Sequence, residues 1–265
     1  MSYLMESHDE IERLERKTGF DAVEIQSRWA GLREGMRVAD IGCGSGRTSS
    51  FLKRITGESG EVVGIDLSRD RLDYARQTYG SESLTFVERN IYNPLDDLGK
   101  FDFIWVRFLL EYHREKQFQL IRSFTEMLAP GGILCLIDLD HNSLNHCGHT
   151  PRLEKAISES MKSLVEHSDF DPYAGRRLYT HMYDLDLKEI DVKVETHHLF
   201  FGELNETDRY NWFKKITVGL ANSNYEFPEY DGGFEEFSNE CKEFISDSRR
   251  FTYTPLICCR GVKST

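Results

Sequence analysis

The sequence predicts an α/β fold in which a mainly parallel, doubly wound sheet is covered by helices on both faces. Three observations predict it: alternating strand and helix patterns, a glycine-rich turn after the first strand, and an acidic residue after the second. Strand patterns cover residues 36–41, 61–65, 84–88, 101–106 and 132–138, and helix patterns begin at 47 and cover 69–79 and 114–129. Alternation of this kind is typical of parallel strands joined by helical crossovers.

The turn after the first strand is the most informative segment of the chain. The apolar strand runs directly into Gly42, Gly44 and Gly46. Glycine adopts positive φ readily and places no Cβ between the backbone and a ligand. The turn is therefore predicted to wrap closely around a ligand that carries a nucleoside.

Asp66 supports the same class of ligand. It ends the second strand, near the spacing of about 20 positions at which an acidic residue holds ribose hydroxyls in doubly wound folds. A dinucleotide fingerprint would need a third glycine at position 47, where this chain has Arg47. A nicotinamide or flavin dinucleotide is therefore disfavoured.

Taken together, these motifs resemble those of the class I S-adenosylmethionine-dependent methyltransferases. The resemblance covers roughly residues 36–138 and the last two strands, and it rests on Asp40, the GCGSG turn at 42–46, GIDLS at 64–68, Asn90 and LAPGG at 128–132. It implies a Rossmann-like, seven-stranded sheet whose last strand is antiparallel. It also implies S-adenosylmethionine as cofactor and S-adenosylhomocysteine as product.

The resemblance also implies roles for individual residues. Asp40 would orient the amino group of the cofactor, and Asp66 would accept hydrogen bonds from both ribose hydroxyls. Asn90 stands where the family usually has an aspartate that meets the adenine amino group; its amide oxygen can still accept from that group, whereas its NH2 cannot. The predicted cofactor contacts are Asp40, Gly42, Cys43, Gly44, Gly46, Asp66, Leu67, Asn90, Ile91, Val106 and Arg107.

The resemblance further implies that the segment after the fourth strand lines the methyl-donor site, in agreement with the rule that ligands of open sheets bind beyond the carboxyl ends of the strands. Methyl transfer is an in-line displacement, so a base is needed only for an acceptor that must lose a proton. Glu111, Tyr112 and His113 are candidates for that base or for contact with the acceptor. His113 also fits a solvent-facing start of the next helix, and Arg107 fits either a substrate carboxylate or a surface ion pair.

A loop rich in histidine follows the fifth strand, with His141, His146, Cys147 and His149. Histidine and cysteine bind transition metals, but the spacing matches no standard zinc pattern, and no metal site is predicted. The loop is expected to border the substrate pocket, where His141 could act as a base. The six cysteines are expected to be reduced, and their pattern does not match the motifs of arsenic methyltransferases, which stay a remote alternative.

The whole chain, 1–265, is predicted to be one methyltransferase domain with helical additions. Residues 1–34 would form an amino-terminal flap of two helices, at 8–18 and 21–33, the second with Asp21 and Glu24 placed like a capping box. Residues 141–173 and 202–250 would be lid insertions. The first of these contains a helix that begins with Thr150 as its N-cap and Pro151 in its first turn.

The second insertion is rich in aromatic side chains, namely Tyr210, Trp212, Phe213, Tyr225, Phe227, Tyr230, Phe234, Phe237 and Phe244. Small-molecule pockets are largely apolar with a few placed polar groups, so the insertions are predicted to form a lid that selects an apolar or planar small molecule. The alternative is that these aromatics supply the core of a helical cap.

Composition narrows the class of partner. The net charge is −12, so a nucleic-acid substrate would be bound against an unfavourable field. The amino terminus is too polar for a signal peptide, and no apolar run of about 18 residues occurs.

The prediction is a cytoplasmic methyltransferase for an O, N or C atom of a small organic molecule, with no nucleic-acid or membrane partner and a possible homodimer. Two alternatives stay open. The protein could bind the cofactor without catalysis, or it could be an enzyme of this fold that uses the cofactor to transfer a group other than methyl.

Overall fold

The computed structural model describes residues 10–17 and 19–264, so residues 1–9 and 18 of the predicted flap lie outside it. Its helices and strands are α1 (Glu10–Lys17), α2 (Phe20–Ala30), β1 (Arg37–Ile41), α3 (Arg47–Thr56), β2 (Glu61–Asp66), α4 (Arg69–Tyr79), β3 (Leu84–Glu88), β4 (Phe101–Arg107), α5 (Gln117–Met127), β5 (Leu128–Leu139), β6 (His146–Cys147), α6 (Pro151–His167), α7 (Ala174–Asp184), β7 (Lys188–Phe200), α8 (Glu206–Lys214), a π-helix (Lys215–Leu220), α9 (Gly233–Ser246) and β8 (Phe251–Val262).

The strands of the described residues form one mixed sheet in the order β3-β2-β1-β4-β5-β8-β6, and β7 also pairs with β8. Strands β5 and β6 pair with successive parts of one edge of β8, and β7 pairs with the opposite edge. Strands β1 to β5 pair in parallel, whereas β8 is antiparallel to β5 and to β7. The predicted doubly wound α/β fold and its antiparallel last strand are confirmed. The eighth strand is β6, a pair of residues that extends the edge of β8.

Alternation along the strands fills a core on each face of the sheet. Phe103 and Trp105 point to the face covered by α2, α3 and α4, whereas Ile104 and Val106 point to the face covered by α5 and α7. All four side chains are buried. Because successive residues of a strand face opposite sides, a strand that is covered on both faces must be apolar at every position.

A third core lies outside the sheet, in a helical cap built from α6, α8, the π-helix and α9. Trp212, Phe227, Tyr230, Phe237 and Phe244 are buried in it. Most aromatics of the second insertion therefore supply the core of this cap, which was the alternative interpretation of their enrichment.

Helix boundaries show where local sequence signals hold and where they fail. Thr150 caps α6 as predicted, because its hydroxyl accepts from the Leu153 N–H at 3.2 Å. The capping box at Asp21 and Glu24 is wrong, since α2 begins one residue earlier and its N-cap is Gly19, which has no side chain to cap with. Among the described helices, none combines the length and apolarity needed to cross a bilayer.

Candidate functional site

A cleft of about 410 Å³ opens at the carboxyl ends of β1, β2 and β4. Strand β1 lies between β2 and β4, so the strand order reverses direction at this point of the sheet. Ligands of open α/β sheets bind at such a switch point, because the connections on either side leave the sheet in opposite directions. The cleft is therefore the first place to look for function.

The glycine turn forms the floor of the cleft. Gly42 and Gly44 have φ values of 77° and 55°, and the N–H of Gly42 donates to the Ile65 carbonyl at 2.8 Å, which ties β1 to β2. A Cβ at position 44 would lie 2.9 Å from Leu14 Cδ1 of α1. Gly46 is needed for packing instead, because a Cβ at position 46 would lie 2.7 Å from the Cβ of Ala75 on α4.

Asp66 presents a fixed carboxylate beside this turn. Its Oδ2 accepts from the Gly44 N–H at 2.8 Å, and its Oδ1 accepts from the Ser68 N–H at 2.9 Å and from Arg71 Nη2 at 3.2 Å. A carboxylate has about four lone-pair sites, so these three donors leave capacity on Oδ2 for a further donor from a ligand. The side chain is only 9% exposed, so the carboxylate is held in place.

Two opposite charges line the other part of the cleft. Asp40 is buried at the end of β1 and accepts from Ser49 Oγ at 2.6 Å. Burial raises the pKa of Asp40 to about 7, and the Asp66 charge adds to this, whereas Ser49 and Arg107 act in the opposite direction. Burial also lowers the pKa of Arg107 to about 10. Because both groups are removed from water, each responds strongly to a charged ligand.

Of the four predicted catalytic residues, Tyr112 and His113 line the cleft. The hydroxyl of Tyr92 lies 2.6 Å from His113 Nδ1. Burial lowers the pKa of His113, so its ring is neutral at pH 7 and Nδ1 can accept the Tyr92 proton. His113 precedes α5 rather than starting it.

The other two predicted catalytic residues lie elsewhere. Glu111 is only 2% exposed and accepts from Asn142 Nδ2 at 2.6 Å, behind the wall of the cleft. His141 packs edge-on against Tyr173, with ring centroids 5.1 Å apart, and is not part of the lining. A base role for either has no support from this arrangement and stays a prediction.

Most predicted cofactor contacts do line the cleft, namely Asp40, Gly42, Cys43, Gly44, Asp66, Leu67, Asn90, Ile91 and Arg107. Gly46 and Val106 do not, because Gly46 packs against α4 and Val106 is buried in the core beneath the sheet. Asn90 Oδ1 accepts from the Tyr92 N–H at 3.0 Å, which orients its amide at the surface of the cleft.

Several residues of the lining were missed by sequence reasoning. Arg13 and Leu14 come from α1, and Tyr92, Lys116 and Asp169 come from loops near the carboxyl edge of the sheet. None of them belongs to a motif with fixed spacing. Only the general expectation of an amino-terminal flap pointed to α1.

A second, smaller cavity of about 50 Å³ lies inside the cap. Tyr112 lines both this cap cavity and the cleft. The polar wall of the cap cavity contains Asn142, Ser143, His146 and Lys215. Sequence reasoning missed Asn142 and Lys215, since nothing in their local sequence distinguishes them from surface residues.

The histidine-rich loop is engaged in hydrogen bonds within the protein. His146 Nδ1 lies 2.9 Å from Thr252 Oγ1 and Nε2 lies 3.0 Å from the Ser143 carbonyl oxygen. Burial lowers the pKa of His146 to about 4. In the described part of the chain, no group of three or more His, Cys, Asp or Glu side chains could hold a metal ion. The cysteines are free, and all except Cys147 are buried.

Comparison with known proteins shows what this chain is similar to. A family model described as a methyltransferase domain matches residues 38–132. Methyltransferase GfsG of Streptomyces halstedii is 32% identical over 169 residues, covering 61% of this chain and 57% of that protein. Arsenite methyltransferase of Aquipseudomonas alcaligenes is 29% identical over 175 residues, covering 59% of this chain and 50% of that protein. These matches and the fold support a class I S-adenosylmethionine-dependent methyltransferase, with the match to the methyltransferase domain carried by residues 38–132.

Structural comparison extends the likeness of the fold to the whole chain. Phosphoethanolamine N-methyltransferase 2 of Haemonchus contortus, in complex with phosphomonomethylethanolamine and S-adenosylhomocysteine, has a TM-score of 0.60 at 14% identity. The match covers 100% of this chain and 61% of that one. By sequence, the chain spans about half the length of the curated relatives that it matches.

Proposed function

We propose that this protein transfers a methyl group from S-adenosylmethionine to an O, N or C atom of a small organic molecule. The observation that carries the proposal is the cleft itself. It places a glycine turn and the carboxylate of Asp66, joined by a 2.8 Å hydrogen bond, at the switch point of the sheet. That arrangement suits a ribose lying against a backbone without side chains.

The residues of the cleft fit the proposed cofactor. Asp66 would accept from the ribose, and Gly42 and Gly44 leave room for close approach. At the other end, Asp40 would meet the positively charged amino group and Arg107 the carboxylate, so the two buried charges match an amino acid moiety. When bound, S-adenosylmethionine supplies a methyl group on a positively charged sulfonium.

The chain's own contribution to the transfer is positioning and, where needed, proton removal. Tyr112 would hold the acceptor, because it borders both cavities. For an acceptor that must lose a proton, the neutral His113 and the Tyr92 hydroxyl form a pair that can take it. Glu111 is committed to Asn142, so we assign it to the support of the site rather than to the reaction.

A small organic acceptor suits the cap better than a macromolecule does. The cap cavity is lined mainly by apolar side chains, and the net charge of −12 opposes binding of nucleic acid. The relatives named above differ in their acceptors, so none of those acceptors is carried over to this chain. The cytoplasmic location and the possible homodimer stay predictions from the sequence.

The first test is calorimetric titration of wild type, Asp66→Ala and Asp70→Ala with S-adenosylmethionine and S-adenosylhomocysteine. Asp70 lies exposed in the first turn of α4, so its substitution removes the same charge outside the cleft. We expect low-micromolar binding by wild type and Asp70→Ala, and binding weakened at least about tenfold by Asp66→Ala, since hydrogen bonds to a charged group are lost. Unchanged affinity in Asp66→Ala, or no binding by well-folded wild type, would overturn the assignment.

An acceptor screen then separates methyl transfer from the alternatives. Methyl transfer yields S-adenosylhomocysteine in proportion to methylated product. Another use of the cofactor yields a different by-product, and a non-catalytic binding protein consumes no cofactor with any acceptor. Mass spectrometry of the spent cofactor distinguishes the three results.

A further inference from the structure

We propose that the cap cavity recognises a carboxylate group of the methyl acceptor together with a short aliphatic chain, and that Lys215 binds that carboxylate. The inference rests on the proposed methyltransferase function and names the chemistry of its acceptor. It depends on four features of the cap cavity: its size, the unused donors of Lys215, the direction of the buried charges, and the wall shared with the cleft.

The size and lining of the cavity favour a short aliphatic chain. Most of its wall is apolar, from Ile157, Met161, Leu164, Phe170, Ile216, Leu220, Phe244 and Ile245. Its volume is about 50 Å³, whereas an apolar cavity known to bind benzene measures about 150 Å³. The smaller volume favours a branched alkyl group of a few carbon atoms over an aromatic ring.

Lys215 supplies hydrogen-bond donors to this apolar space. Its Nζ donates to Asn142 Oδ1 at 2.5 Å and lies 5.3 Å from the centre of the Trp212 ring. An ammonium carries three N–H donors, and within the described residues this is its single hydrogen bond. The remaining donors can serve a ligand, and a charged donor in apolar surroundings favours an anionic acceptor over a neutral one.

Three other polar residues of the wall already have hydrogen-bond partners in the protein, namely Asn142, Ser143 and His146. Ser143 Oγ donates to Asn142 Oδ1, and both ring nitrogens of His146 lie at hydrogen-bonding distance from partners in the protein. Asn142 Nδ2 donates to Glu111 Oε2 at 2.6 Å. Trp212 Nε1–H also lines the cavity and, within the described residues, has no hydrogen-bond partner. Lys215 is thus the charged donor on this wall that can bind an oxyanion, and the neutral indole N–H lies on the same wall.

Of the two buried charges near the cap cavity, the ammonium of Lys215 lies on the side of the cavity and the carboxylate of Glu111 lies away from it. Glu111 balances Lys215 through Asn142, but its carboxylate lies on the far side of that amide and does not line the cavity. The cavity therefore faces the ammonium rather than the carboxylate. Burial lowers the pKa of Lys215 to about 8, while the Glu111 charge acts in the opposite direction and preserves the ammonium at pH 7.

The cap cavity adjoins the cleft. Tyr112 forms part of both walls, and Arg13, which lines the cleft, is close enough to Lys215 to influence its charge. An acceptor with its aliphatic end in the cap cavity and its carboxylate at Lys215 would extend past Tyr112 toward the cleft. The π-helix that begins at Lys215 is of a kind often found at functional sites.

The experiment compares an acid with its isosteric amide. Protein saturated with S-adenosylhomocysteine is titrated by calorimetry with isovalerate and with isovaleramide, using wild type, Lys215→Met and Lys214→Met. Lys214 is the matched control, since it is the adjacent lysine, at the end of α8, and lies outside both cavities. Binding of S-adenosylhomocysteine to each variant is measured first, so that loss of the cofactor site is recognised separately.

We expect wild type and Lys214→Met to bind isovalerate at least about tenfold more tightly than isovaleramide, which corresponds to about 1.4 kcal/mol. Lys215→Met should lose this preference while it still binds S-adenosylhomocysteine. Equal binding of acid and amide by wild type, no binding of isovalerate, or a preference retained in Lys215→Met would each overturn the proposal. If Lys215→Met does not fold, the comparison of acid and amide in wild type still decides.

Discussion

Asp40 is the residue at which stability and proposed function conflict most directly. It lies buried at the end of β1, and its main hydrogen bond comes from a neutral hydroxyl, that of Ser49. Burial of an acid without a close cationic partner opposes its ionisation, which is why its pKa rises to about 7. Groups with strongly shifted pKa values in a cleft are often functional, and an ammonium ligand would restore the charge.

The substitution Asp40→Asn tests this conflict. In the folded protein the pKa of Asp40 lies above its unfolded value of 3.8, so the folded state holds an extra proton between pH 4 and pH 7. The contribution of Asp40 to stability therefore falls as pH rises through this window. Asparagine keeps the oxygen that accepts from Ser49 and removes the titration. We expect Asp40→Asn to be more stable than wild type at pH 8, by up to about 4 kcal/mol, and to bind S-adenosylmethionine more weakly.

Urea denaturation of both proteins at pH 4.5 and pH 8 measures the effect. The quantity of interest is the difference in unfolding free energy between the two proteins, because other titrating groups contribute equally to both. A difference that does not change with pH would show that Asp40 is ionised in the folded state throughout.

At the level of helices and strands, local signals were sufficient where neighbouring residues determine the structure. The glycine turn and the Thr150 cap depend on residues within a few positions of each other, and both were predicted. The start of α2 was not, because it depends on contacts between elements: the Phe20 ring lies 5.3 Å from that of Phe51 on α3 and under the Arg54 guanidinium. These contacts fix Phe20 as the first helical residue.

The polar wall of the cap cavity could not be predicted for the same physical reason. Glu111 follows β4, Asn142 follows β5 and Lys215 begins the π-helix. Their hydrogen bonds span separations of 31 and 73 residues. No spacing rule relates such positions, and a single sequence contains no record of their contact. The residues predicted to bind the cofactor lie mostly in local motifs, whereas Asn142 and Lys215 lie on two separate insertions.

Helix α6 offers a test of the cap as an element. Thr150 accepts from the Leu153 N–H and also donates to Glu240 Oε1 on α9, so its hydroxyl caps α6 and joins it to a second helix of the cap. We expect Thr150→Ala to destabilise the cap by about 1–2 kcal/mol. Thr150→Ser, which keeps the hydroxyl, should retain most of the stability.

Hydrogen exchange of the α6 amides measures this local stability, since the cap has its own core and can open separately from the sheet. Faster exchange in Thr150→Ala but not in Thr150→Ser is the expected result. Equal protection in all three proteins would mean that packing alone maintains α6.

At the scale of the whole molecule, α1 connects the glycine turn with the cap. Glu15 Oε1 accepts from Ser45 Oγ at 2.7 Å, and Glu15 Oε2 accepts from Arg47 Nη1 at 3.1 Å and from the Tyr79 hydroxyl at 2.6 Å. On the same helix, the Arg16 guanidinium lies 5.2 Å from the centre of the Tyr210 ring on α8. A flap was predicted from two helical patterns, but its partners were not, because they come from three separate parts of the chain.

This arrangement predicts that α1 limits the release of a ligand from the cleft. Substitution of Glu15 by alanine removes two hydrogen bonds to the rim of the glycine turn, from Ser45 and Arg47, and a third from Tyr79 at the end of α4. None of these bonds involves a strand of the sheet. We expect S-adenosylhomocysteine to dissociate about tenfold faster from Glu15→Ala than from wild type, since loss of about 1.4 kcal/mol of closure energy changes a rate by that factor. Stopped-flow displacement by excess S-adenosylmethionine gives the rate.

Glu12→Ala is the matched control for that measurement. Glu12 also lies on α1, but its side chain is 52% exposed and pairs with Arg16 on the helix surface. The substitution Glu12→Ala removes the same charge as Glu15→Ala, but Glu12 makes no hydrogen bond to the glycine turn among the described residues. If Glu15→Ala and Glu12→Ala release the ligand at the same rate, then α1 does not control release, and the cap and the rim of the cleft would act independently of it.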